Sequence, residues 1–259
     1  MGLFFPDEKE VFKGRKVGFA RYKEVLEGSY KEFFIVGFIT LVFMLPFAAG
    51  LTYAVLSSSV LVALGAGVLG GAIAGPGLAC MYDIILRRLR DDKADWWVCF
   101  KRSMTQNWRA AILPGIVQCV FLGFFVFSGA LILWSTAAPT LGTLLLLAFS
   151  ALLCTMVLQI WWPQVVLFDQ RPGPQIKNSV FFIISYFKRS LGVGLLQMLW
   201  WLVMALFLPW TAFVVPIIGL WYILFVALFL LYDDLDEAFR IEEQIGERFP
   251  ERIEKKEGR

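Results

Sequence analysis

Six long apolar runs, at 33–56, 59–86, 110–134, 141–167, 191–208 and 211–232, alternate along this chain with short connections. Each is close to the roughly 20 apolar residues with which an α-helix crosses a bilayer. A helix satisfies its own backbone hydrogen bonds, so runs of this length read as helices rather than strands. The pattern predicts an all-α polytopic membrane bundle of six spans. An arm (1–32) precedes the membrane domain (33–232), and a charged tail (233–259) follows it.

Two connections are amphipathic. Trp97, Phe100, Met104 and Trp108 recur at helical spacing in the first, and Ile176, Val180, Ile183 and Phe187 in the second, after a Pro172-Gly173-Pro174 turn. Such stripes predict two short helices lying at the membrane surface. The tail repeats the pattern with Leu235, Phe239 and Ile245, and its end, 251–259, is expected to be disordered.

Polar and small residues inside the runs carry the next layer. Ala63, Gly67, Gly71, Gly75 and Ala79 recur every fourth residue and lead to Asp83. Small residues flatten a helix face and let a neighbour approach closely. The ladder predicts the central packing seam, either within one chain or between copies, the latter giving a homo-oligomer through Gly67, Gly71 and Gly75. Gly75-Pro76-Gly77 is expected to bend or loosen the second helix. Trp96, Trp97, Trp108, Trp161 and Trp162 fall at one predicted interface and Trp134 and Trp210 at the other, as aromatic belts do. Trp200 and Trp201 fall near mid-span, where their indole donors need partners. Gln118 and Gln197 are the expected ones.

Charge fixes the predicted orientation. All 24 Lys and Arg lie in the arm, in 87–109, in 171–189 or in the tail, and the three other connections have none. By the positive-inside rule both termini and both long connections face the cytoplasm of a multi-pass plasma-membrane protein. The bilayer is the first partner, with anionic inner-leaflet lipids facing the basic connections. No basic stripe lies free of the membrane, so nucleic acid is not an expected partner. The charged stretch 6–32 holds no cleavage signal, which predicts that the first span is retained.

Candidate chemistry is sparse. The chain has no histidine, which removes the commonest general base and metal ligand. Cys80, Cys99, Cys119 and Cys154 show no CxxC spacing and read as buried thiols. The sequence predicts no catalytic residue, cofactor or metal site and a non-enzymatic role. Asp83 and Asp169 sit near the cytoplasmic boundary, and Asp83 is one helical turn from Arg87. No acid lies at mid-membrane, which argues against proton coupling. A candidate cytoplasmic interaction surface comprises Asp83, Arg87, Arg88, Arg90, Gln106, Asn107, Trp108, Arg109, Asp169, Lys188 and Arg189. The alternative is a facilitator of a small neutral solute, with a path past Gln118, Gln159 and Gln197.

Several segments resemble one family. They are MGLF at 1–4, FMLPF at 43–47, GPGLACMYDIILRRLR at 75–90, WWVCFKRSMTQNWRAAI at 96–112 and WWPQVVLFDQ at 161–170 with 176–189 behind it. The chain resembles the YesL-like family of bacterial membrane proteins over most of its length, the Gln106-Asn107-Trp108-Arg109 element included. It departs at Gly37, where members often carry a polar residue in the first span. The resemblance implies an accessory role in bacterial carbohydrate uptake or its sensing, with a sugar ABC transporter permease or sensor as partner.

Overall fold

The computed structural model describes residues 16–92, 95–135, 138–168, 170–208 and 210–248, with side chains described as far as Gln244. Among these, every regular element is helical, and six helices are long and apolar enough to cross a membrane. The chain is an all-α membrane bundle. Its surface carries the apolar residues a bilayer requires: Leu61, Leu69, Leu133 and Phe213 are among many that stand exposed.

The first helix, α1 (Gly18–Leu56), runs unbroken from the latter part of the arm through the first span. The described part of the arm from Gly18 is thus continuous with the first span: Lys23–Glu27 and Arg21–Glu24 pairs on its surface suit a helix, and no proline interrupts it before Pro46. A tight turn follows, with Ser58 in the left-handed region (φ 51°) and the Ser59 hydroxyl accepting from Val62 N–H to cap α2 (Val60–Leu89). Gly75-Pro76-Gly77 stays within that helix, packed and buried.

The amphipathic segment α3 (Trp96–Arg102) is capped by Asp95, whose carboxylate accepts from Trp97 N–H at 2.8 Å. It does not stand apart from the third span as expected. A π-helical turn (Ser103–Asn107) joins it to α4 (Trp108–Trp134) in one helical run. No proline or glycine interrupts 96–113, so the helix propagates and the π turn absorbs the change of face. Beyond it come α5 (Leu141–Leu167), α6 (Pro172–Ser185) and α7 (Phe187–Leu206). The sixth span opens with a π turn (Val215–Gly219) and continues as α8 (Leu220–Phe239), seven residues beyond the predicted end at 232. Arg240, in the left-handed region, ends α8, and α9 (Ile241–Arg248) follows.

The core is the trio α1, α2 and α4, and the predicted ladder is its seam. Gly67 faces Val120, Gly71 faces Gly115 and Ile116, and Gly75 faces Ala111, so α4 of the same chain occupies this face. Homo-oligomerisation through Gly67, Gly71 and Gly75 is thereby overturned. A second stripe that the sequence reading missed, Gly70 and Gly77, takes Phe47 and Phe43 of α1. Ala63 and Ala79 are buried with the rest. α5, α6 and α7 attach outside this trio, and α8 closes against α1 and α2.

α6 buries its polar side. Trp161 Nε1 donates to Gln175 Oε1 at 2.9 Å, and Gln164 Nε2 donates to Ser179 Oγ at 2.8 Å, while Ile176 and Val180 are exposed. In lipid this is the favourable arrangement: hydrogen bonds inside, methyl groups outside. It also corrects the aromatic-belt reading of Trp161 and Trp162, both of which are buried.

Candidate functional site

The bundle has two chemically distinct ends. At the end that carries the charges, basic and acidic side chains knit α1 to α2. Arg87 Nε lies 3.0 Å from both carboxylate oxygens of Asp83, and Arg87 Nη1 lies 2.9 Å from Asp92 Oδ2. Arg88 pairs with Glu32, and Arg21 reaches Asp91 at 2.7 Å and the Leu89 carbonyl at 3.1 Å. Arg189 at the start of α7 holds Asp234 of α8 at 2.6 Å. Arg90 packs beside this cluster with its guanidinium largely buried and with Nη1 unpartnered.

The predicted interaction surface is therefore split. Asp83, Arg87, Arg88 and Arg189 are engaged in internal pairs. Gln106, Trp108, Arg109 and Lys188 are exposed and Asn107 is half-buried, with Gln106 accepting from Arg102 and Arg109 stacked over Trp108. Asp169 lies outside the described residues, as do 1–15 and the tail end, and Ile245 lies beyond the described side chains.

Towards the uncharged end the helices part around a cavity of about 980 Å³. α1 lines it from Phe38 to Leu56, a length of about 27 Å at 1.5 Å per residue. α4 lines it from Gln118 to Trp134, and α7 and the sixth span close it with Gln197, Trp201, Val215, Pro216 and Leu220. α5 contributes only Cys154, Thr155, Leu158 and Gln159. Its outer turns, including Leu141, Leu145, Leu146 and Phe149, are exposed and form no part of the wall. Among the described residues no charged one lines the cavity, and the hydroxyls of Thr52 and Thr155 are spent on their own helices, donating to the Ala48 and Ala151 carbonyls.

Polar groups gather at its deep end. On α4, α5 and α7 the lining residues nearest the charged end are Gln118, Gln159 and Gln197, and Tyr82 is the α2 residue beside them. Trp162 organises this ledge: its ring stacks on Tyr82 (5.4 Å between centroids, 15° between planes), and its Nε1 donates to Gln118 Oε1. Gln197 Nε2 donates to Gln159 Oε1 at 3.2 Å, and Gln159 Nε2 donates to the Ser190 carbonyl at 3.2 Å. The Tyr82 hydroxyl, the Gln118 amide nitrogen and the Gln197 amide oxygen make no hydrogen bond to the described protein atoms. Beyond the ledge Ile85, Leu86, Ile160 and Trp162 are fully buried and close the floor.

No protein-family model, no curated protein and no solved structure matches this chain.

The sequence places the three glutamines in one path, and the structure brings them to one cavity. It gives them different indole partners. Gln118 receives Trp162 rather than Trp200 or Trp201, and Trp200 Nε1 donates to the Gly219 carbonyl at 3.0 Å. Tyr82 carried no functional reading in the sequence. Its place one turn before the basic cluster hides that α2 turns this ring towards the cavity. Among the described residues no group of His, Cys, Asp or Glu is arranged to hold a metal ion.

Proposed function

We propose that this protein takes an uncharged molecule into the cavity from the side of the membrane opposite to its charges, as an intramembrane binding protein or facilitator for a neutral solute. By the positive-inside rule the charged end faces the cytoplasm. In a bacterial plasma membrane the cavity then opens outward. The observation that carries the reading is a cavity of about 980 Å³ with no charged lining residue and a deep ledge of neutral hydrogen-bonding groups. Ligand sites of this size are mostly apolar, with few polar groups that orient the ligand. None of the described lining residues is an acid, the usual intramembrane group for proton coupling.

Thiol chemistry tests this. Leu122→Cys and Leu158→Cys, each combined with Cys154→Ser, are expected to react with uncharged N-ethylmaleimide and to resist a sulfonate-bearing methanethiosulfonate. Cysteine in place of the fully buried Ile160 is expected to resist both. Protection of both wall positions equal to that at Ile160, or equal attack by the charged reagent, contradicts the reading.

A second reading is the accessory role in carbohydrate uptake that the YesL-like resemblance implies. Its support is the outward edge of Lys101, Arg102, Trp108, Arg109 and Lys188 at the charged end. Asp83, Arg87 and Arg88, by contrast, are engaged in ion pairs within the chain.

A further inference from the structure

We infer that the occupant of the cavity is a neutral single-chain amphiphile, a long-chain alcohol or amide in its chemistry, seated with its polar end on the Tyr82–Gln118–Gln197 ledge. The inference rests on the cavity reading above and names the class of molecule.

Shape comes first. The cavity is long in its lining, following α4 from Gln118 to Trp134 for about 24 Å. Its unpartnered amide and phenol groups lie at one end of that length, and beyond them the described lining adds two single indole donors, Trp201 and Trp134. A polyol carries hydroxyls on every carbon and would leave most of them unpaired along the apolar shaft, at a cost of a few kcal/mol for each buried group. A molecule with one polar end and an apolar body leaves none unpaired.

Charge comes next. The ledge offers a hydroxyl, an amide N–H and an amide carbonyl, and no described lining group bears a charge. A carboxylate or ammonium at this depth would be buried without a counter-ion, which is far costlier than burying a neutral hydroxyl. A hydroxyl or primary amide uses what is there: it donates to the Gln197 carbonyl and accepts from the Gln118 N–H or the Tyr82 hydroxyl.

Access comes last. The outer turns of α5 form no part of the wall, so the apolar shaft is open to the bilayer on that side. An apolar chain gains little from these walls over lipid, because hydrocarbon surrounds it in either place. Discrimination therefore falls on the ledge, and small changes there are expected to govern affinity.

The test uses the full chain in nanodiscs of a synthetic phospholipid, with octadecanol carrying a diazirine beside its hydroxyl as the probe. Photolysis is expected to label Tyr82, Gln118 or Leu158 saturably. Unlabelled octadecanol is expected to compete, and octadecanoate and mannitol are not. Tyr82→Phe removes an unpartnered hydroxyl and keeps the ring that stacks on Trp162, so the fold is retained. It is expected to weaken competition about threefold to tenfold, the loss of one hydrogen bond. Label spread without saturation over exposed Leu145 and Phe149 overturns the inference, as does equal competition by octadecanoate. Competition by mannitol alone overturns it too while leaving the neutral-solute cavity standing. Failure of the wall cysteines to react would instead remove the cavity reading itself.

Discussion

Gly71→Leu is expected to yield no folded protein. A Cβ at Gly71 would sit 2.6 Å from the Gly115 carbonyl oxygen and 2.6 Å from Ile116 Cα. Those are backbone atoms of α4, which cannot step aside as a side-chain tip can. The reverse contact is as tight, since a Cβ at Gly115 would lie 2.6 Å from Gly75 Cα. Between membrane helices close packing has no hydrophobic effect behind it and is itself a main source of association. Forcing α2 and α4 apart also disturbs the α1 contacts at Gly70 and Gly77 on the other side of α2. Gly129→Leu is the control: nothing lies within 4 Å of a Cβ there. Size-exclusion profiles after mild-detergent extraction report the outcome, with Gly71→Leu lost or aggregated and Gly129→Leu behaving as the parent. A folded Gly71→Leu monomer would show that the seam does not hold the chain together.

The second large effect is expected at the charged end. Asp83 is 3% exposed and its carboxylate is held by Arg87. Arg87→Ala leaves that charge buried and unpaired, which typically costs about 3–5 kcal/mol. Replacing both members with neutral partners, Asp83→Asn with Arg87→Gln, is expected to recover most of the loss, because a buried pair adds little over a neutral substitute of similar shape. Lys23→Ala breaks an exposed i,i+4 pair and is expected to change stability by less than about 1 kcal/mol. Thermal midpoints in detergent would order the variants as Arg87→Ala well below the double variant, and that close to Lys23→Ala. Equal midpoints for all three would mean that the ion knot contributes nothing to holding α1, α2 and the following turn together.

Much of the architecture was legible because lipid constrains a chain so strongly. Apolar run length gives the spans, the confinement of Lys and Arg gives two unlike ends, and four-residue spacing of Gly67, Gly71 and Gly75 gives the α2–α4 seam. Asp83 and Arg87, one turn apart, pair as their spacing predicts. What stayed hidden depends on which neighbour a face meets. Trp161 and Trp162 look like interface anchors in one dimension. They are buried because α6 presents Gln175 to one and α4 presents Gln118 to the other. The amphipathic stripe of α6 marks its lipid side and not its core side, an ambiguity that hydrophobic periodicity cannot resolve when the solvent is itself apolar. The cavity was hidden for a different reason: it exists where α1, α4, α5 and α7 fail to touch. The three glutamines in the runs were its one trace, and Tyr82 left none.

A cavity that works as a binding site holds a molecule. Native mass spectrometry of the protein extracted from its own membrane in a neutral detergent measures that directly. The predicted spectrum shows the chain with one retained neutral molecule, and Ala48→Trp with Ala130→Trp, which fills the shaft from α1 and α4, shows the bare chain. Bare mass for the parent protein, or the same retained mass in the filled variant, would contradict it.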